Sequence, residues 1–158
     1  MRKQNWTEGL ERLDYTCAMN INNTCILQVE DNEDDILLLR LAFKRAGITN
    51  PVQIVTDGHK AMEYLAGNGP FADRVKYPKP GLVLLDLKLP DKPGLEVLEW
   101  IREQPALKKL PVIVFSSWAS QADIQHASQI GSDSYVLKPM DMHQYEDFAK
   151  RLKSSWLS

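Results

Sequence analysis

Glu30-Asp31, Asp86, Ser116 and Lys138 are the residues whose types and settings could do chemistry, because each stands where an apolar run stops. Asp86 follows Leu82-Val83-Leu84-Leu85 directly, and a carboxylate in that position is costly unless it is paired or bound to a metal. Glu30-Asp31 closes the run Cys25 to Val29, Ser116-Ser117 closes Val112 to Phe115, and Lys138 closes Tyr135 to Leu137. Three carboxylates, a hydroxyl and an ammonium together suit a hard, oxygen-seeking divalent cation beside an anionic centre. Their joint use requires that the strand ends meet.

The elements that would bring them together are legible. The runs at Cys25–Val29, Val52–Val55, Leu82–Leu85, Val112–Phe115 and Tyr135–Leu137 read as short strands too apolar to face water on either side. Five helical stretches alternate with them. Asn32 can cap the first, with Glu33, Asp34 and Asp35 favouring its positive end and Gly47 beyond its last turn. Ile36, Leu39, Leu41, Phe43 and Ala46 are its expected apolar face. Asp57-Gly58 opens the second helix, which Gly67 closes; the third runs from about Leu95 to Gln104. Ser120 with Asp123 forms a capping box for the fourth, ending at Gly131, and Asp141 with Gln144 starts the fifth. Residues 67–80 read as a loop. Alternating strands and helices of this kind imply an α/β, doubly wound parallel sheet covered on both faces, with the site at the carboxyl ends of the strands.

At 158 residues the chain accommodates one domain, assigned to 25–158, preceded by an extension over 1–24. In that extension Trp6, Leu10 and Leu13 fit a short amphipathic helix, a segment that docks on a partner, or a disordered arm. A net charge of −2 offers no field for nucleic acid or an anionic membrane, and no apolar run approaches a bilayer span. Cys17 and Cys25 have neither metal-ligand spacing nor the look of a disulfide framework, which points to a reducing cytoplasm. His59, His126 and His143 fit neither a metal site nor a phosphotransfer module and read as surface residues.

In order along the chain, Val29-Glu30-Asp31-Asn32-Glu33-Asp34-Asp35, Leu84 to Pro90 with Gly94, Pro111 to Ser117, and Tyr135-Val136-Leu137-Lys138-Pro139 closely resemble the response-regulator receiver family. The long loop before the third strand and the Glu-Asp pair are similar to the small regulators of the bacterial phytochrome type. The resemblance implies a five-stranded, flavodoxin-like sheet of order 2-1-3-4-5. It implies that Asp86 accepts a phosphoryl group from a phosphohistidine, with Mg²⁺ or Mn²⁺ held by Asp31, Asp86 and the backbone carbonyl of Lys88, and with Glu30 acting through water. Lys138 would pair with Asp86 and then with the phosphoryl oxygens. Ser116 and Tyr135 would form the switch, and the Lys138-Pro139 peptide would be cis. Partners would be a sensor histidine kinase, including one of phytochrome photoreceptor type, or a histidine phosphotransfer protein. A homodimer would form through the face of helix 4, strand 5 and helix 5.

Such a chain is not a conventional enzyme. Its only activities would be Mg-dependent self-phosphorylation and self-dephosphorylation. Aspartate-based phosphatases need a second Asp two residues after the nucleophile, where Lys88 stands here. The rival reading is a receiver-fold adaptor that works without phosphorylation. Two departures from the family pattern, Pro93 before Gly94 and Ser116 for the commoner Thr, remove no group the reaction needs. Trp118 would either overhang Asp86 and prolong the phosphorylated state or serve a partner-binding face.

Overall fold

The computed structural model describes residues 24–117 and 120–157. Strands β1 (Ile26–Val29), β2 (Val52–Val55), β3 (Leu82–Leu85), β4 (Val112–Ser116) and β5 (Ser134–Leu137) form one sheet. Its order is β2-β1-β3-β4-β5, and every neighbouring pair is parallel. Helices α1 (Glu33–Arg45), α2 (Gly58–Ala66), α3 (Gly94–Glu103), α4 (Gln121–Ile130) and α5 (Met142–Trp156) fill the connections. The expected fold is therefore the observed one.

Strand alternation divides the core in two. Val83 and Leu85 of β3 face α2, α3 and α4, where they meet Tyr64, Val97, Leu98, Ile101 and Ala127. Leu82 and Leu84 face α1 and α5 and meet Leu39, Phe43, Tyr145, Phe148 and Leu152. With every residue of β1, β3 and β4 buried, each large side chain contributes about 1.5–3 kcal/mol on leaving water.

The caps follow the sequence. Asn32, Asp57, Ser120 and Asp141 each accept a hydrogen bond from the backbone N–H three residues on. Gly67 and Gly131 end α2 and α4 in the left-handed conformation. Two expectations need correcting. Leu41 is not part of the apolar face of α1 but is exposed. At 100° per residue it lies two steps round the helix from buried Leu39, and Leu37, more exposed still, shares that outer side. Residues 67–80 are also more ordered than a generic loop. They hold a 3₁₀ turn (Gly69–Phe71), a cluster of Tyr64, Phe71 and Tyr77 with ring centroids 5.1–6.0 Å apart, and Arg74 donating to the carbonyls of Leu65 and Tyr77.

Among the described residues no helix is long and apolar enough to cross a membrane. Cys25 is buried. Trp6, Leu10, Leu13, Cys17 and Trp118 lie outside the described residues.

Candidate functional site

Register places the acids. Val29 pairs with Leu85, so Glu30 and Asp86, the next residues on each strand, leave the sheet side by side. Their backbones extend the ladder: Asp86 N–H donates to the Val29 carbonyl at 3.1 Å, and Glu30 N–H donates to that of Val55 at 3.0 Å. Ser116 pairs with Leu137, and Lys138 N–H donates to the Ser116 carbonyl at 2.8 Å, which sets the lysine at the same edge. Carboxylate oxygens of Glu30, Asp31 and Asp86 all lie within 4.8 Å of one another. They open on a cleft of about 550 Å³ whose lining also includes Asp34, Asp35, Lys88 and Lys138.

Lys138 is buried, and its Nζ contacts three carboxylates: Glu30 Oε1 at 2.5 Å, Asp35 Oδ2 at 2.9 Å and Asp86 Oδ2 at 3.2 Å. Burial alone would lower its pKa; the hydrogen bonds it donates to Glu30 and Asp35 and the charge of Asp86 outweigh it and raise the ammonium above its ordinary value. One ammonium does not balance this many acids. Glu30 is only 2% exposed, and burial, aided by the charge of Asp86, pushes its carboxyl up to about 7 against the lowering effect of Lys138. A divalent cation would supply the missing charge, and these oxygen donors fit a hard one.

Asp35 does more than favour the positive end of α1, the role its place in the first turn suggests. It bridges Lys138 and the buried Tyr145 of α5, whose hydroxyl donates to Asp35 Oδ1 at 3.4 Å. Burial, then the charge of Asp35, raises the Tyr145 phenol above its usual range. Glu30 likewise does more than reach through water, since it pairs directly with Lys138 and accepts the Asn32 N–H at 3.2 Å.

The Lys138-Pro139 peptide is trans, as are all peptides of the described residues, so the cis expectation is withdrawn. Trans is the ordinary preference of X–Pro bonds by about 0.5–1 kcal/mol, and the ammonium reaches its three partners with the bond in that form. Ser116 is fully buried at the tip of β4, while Ser117, not singled out from sequence, lines the cleft. Tyr135 pairs with Val114 in the β4–β5 ladder, and burial, followed by the charges of Asp123 and Asp86, raises its phenol.

The loop after β3 is closed on itself. Lys88 N–H donates to Asp86 Oδ1 at 3.3 Å, Lys88 bridges to Pro93, and Gly94 N–H donates to the Leu87 carbonyl at 2.8 Å. Gly94 is required there by contact. A Cβ on it would lie 2.7 Å from Leu87 Cα and closer still to the Asp86 carbonyl oxygen, both backbone atoms that cannot swing aside.

Fold and site together define a receiver domain, and the comparisons agree. Residues 26–150 match the response regulator receiver domain family, so the chain belongs to it. The chain is 33% identical over 132 residues to response regulator Rcp1 of Synechocystis, spanning 84% of this chain and 88% of that protein. The crystal structure of the phosphorylated cyanobacterial phytochrome response regulator RcpA superposes with a TM-score of 0.79 at 37% identity, covering 86% of this chain and 95% of that one. The Mn²⁺-bound form of Rcp1 superposes with a TM-score of 0.77 at 32% identity, covering 85% and 95%.

Proposed function

We propose that the chain is a phosphorylation switch of a two-component phosphorelay that accepts a phosphoryl group on Asp86 in a Mg²⁺-dependent reaction and reports it through changed protein binding. The observation that carries this reading is the buried Asp86 carboxylate, set beside Glu30 and Asp31 on one side and 3.2 Å from Lys138 on the other. The donor is a phosphohistidine of a sensor histidine kinase, of the phytochrome photoreceptor type, or of a histidine phosphotransfer protein. The likeness to RcpA and Rcp1 supports the phytochrome branch. An Asp86 oxygen forms the new P–O bond while the N–P bond breaks, and the imidazole leaves with that electron pair.

Asp31 and Asp86 would hold the cation, with the Lys88 carbonyl, while Glu30 orients the group through Lys138. Bound there, the ion would neutralise charge on the transferring phosphoryl oxygens. Lys138 balances Asp86 at rest and is placed to turn to the phosphoryl group afterwards. Ser116 and Tyr135, on the two strands beyond β3, would form the responsive element that a charge of about −2 biases. The reporting and self-pairing surface is the face of α4, β5 and α5, where Leu137 is 53% exposed. Catalysis is limited to self-phosphorylation and self-dephosphorylation.

Incubation with acetyl phosphate and Mg²⁺, read by intact mass, tests the reading. A single phosphoryl adduct is expected, lost with EDTA and in Asp86→Asn. A chain that takes no phosphoryl group under these conditions is instead the phosphorylation-independent adaptor.

A further inference from the structure

Asp91 lies at the tip of the loop that follows Asp86, outside the residues assigned above. Its two carboxylate oxygens accept one hydrogen bond each from consecutive backbone amides, Gly58 N–H and His59 N–H, both at 2.8 Å. Those amides open α2 and have no partner within the helix. A carboxylate is the acceptor suited to them, since charge-assisted bonds are shorter and about twice as strong as neutral ones. The seat is close: a Cβ on Gly58 would stand 2.6 Å from the Lys92 side chain, whose Nζ reaches Met62 Sδ of α2 at 3.7 Å. At its base the loop is closed by the Gly94–Leu87 and Lys88–Pro93 contacts and joined to the acceptor by Lys88 N–H, which donates to Asp86 Oδ1. The segment between Asp86 and Gly94 is thus held at both ends, and Asp91 makes the outer fastening.

We propose that Asp91 is a positioning residue for the divalent-cation site: by anchoring the β3–α3 loop to the start of α2, it holds the backbone around Lys88 in the geometry that the cation requires. The inference rests on the function proposed above. Asp91 is exposed, so its removal leaves the core intact; what is lost is the fixed reach of the loop. A residue that orients a metal site through other groups commonly sets affinity by 10–100-fold.

The test is Mn²⁺ binding to the full chain, counted by electron paramagnetic resonance at low and high ionic strength, for wild type, Asp91→Ala, Asp91→Asn and Asp57→Ala. Asp57→Ala is the control. It removes the bond from Lys60 N–H at 2.7 Å that caps the same helix, and it leaves the loop untouched. Both Asp91 variants are expected to bind Mn²⁺ at least about 10-fold more weakly at both salt concentrations, while Asp57→Ala loses unfolding midpoint but keeps its affinity. A deficit that vanishes at high salt would mean that Asp91 acts only as a remote charge, and would overturn the proposal. Wild-type affinity in Asp91→Asn would overturn it too, as would an equal loss in Asp57→Ala. If wild type itself binds no Mn²⁺ and takes no phosphoryl group, the failure is that of the proposed function instead.

Discussion

Gly94→Ala separates two opposed effects whose sizes follow from the structure. Alanine favours a helix over glycine by up to about 1 kcal/mol, and less at the first residue of α3 than in its interior. Against this, the new methyl would stand 2.7 Å from Leu87 Cα and nearer still to the Asp86 carbonyl. Non-bonded heavy atoms prefer about 3.5 Å or more, so the backbone must open by on the order of 1 Å. Overpacking of that kind costs about 1–3 kcal/mol, leaving a net loss of about 1–2 kcal/mol in urea denaturation. The displaced atoms belong to the acceptor itself. A shift of that size at reacting groups can lower a rate by about 10²-fold, which pseudo-first-order phosphorylation by acetyl phosphate, followed by intact mass, would resolve. Gly131→Ala is the companion variant. Its left-handed backbone (φ 118°) makes the substitution destabilising, but its nearest neighbours are Arg102 side-chain atoms, so it should phosphorylate normally. A Gly94→Ala protein with wild-type stability and rate would refute the argument from close approach.

Two further outcomes are expected. Folding favours protonated Glu30, whose pKa rises from 4.5 to about 7; the stability it contributes is therefore complete below about 4.5 and is lost as pH rises through 7. In EDTA the urea midpoint should fall between pH 5 and 8 and do so less in Glu30→Gln; equal slopes would contradict the electrostatic account. Arg102 donates to the carbonyls of Gly131 (2.9 Å), Lys108 (3.1 Å) and Leu110 (2.8 Å) and pairs with Asp133 at 3.1 Å, tying α3 to the turn before β5. Arg102→Met should cost about 3 kcal/mol in the same measurement, and a change under 1 kcal/mol would show these contacts to be dispensable.

The strand tips were readable because an apolar run that stops on a charged or hydroxyl residue fixes both an element and its end. Val29-Glu30 and Leu85-Asp86 needed only parallel register to meet. Asp35 was harder. Three acids in the first turn of a helix have a sufficient local explanation in the helix dipole, and only the tertiary position of Lys138 distinguishes the third from the other two. The exposure of Leu41 was legible from helical geometry, but the run Leu37 to Phe43 is apolar enough to obscure it. Gly94 could be matched to a motif without its reason being visible, since the clash it avoids is with backbone eight residues earlier. The aromatic packing of residues 67–80 depends on Tyr64 of α2, so the loop's own Gly and Pro content could not disclose it.

The shared lysine has a mechanical consequence. Its three anions come from β1, from the first turn of α1 and from the end of β3, so the head of a single side chain ties together three separately folded pieces of chain. A new oxygen at the end of β3 would compete with Glu30 and Asp35 for that one ammonium. Because Asp35 also accepts from the Tyr145 hydroxyl, two successive contacts join that lysine to α5 on one side of the sheet.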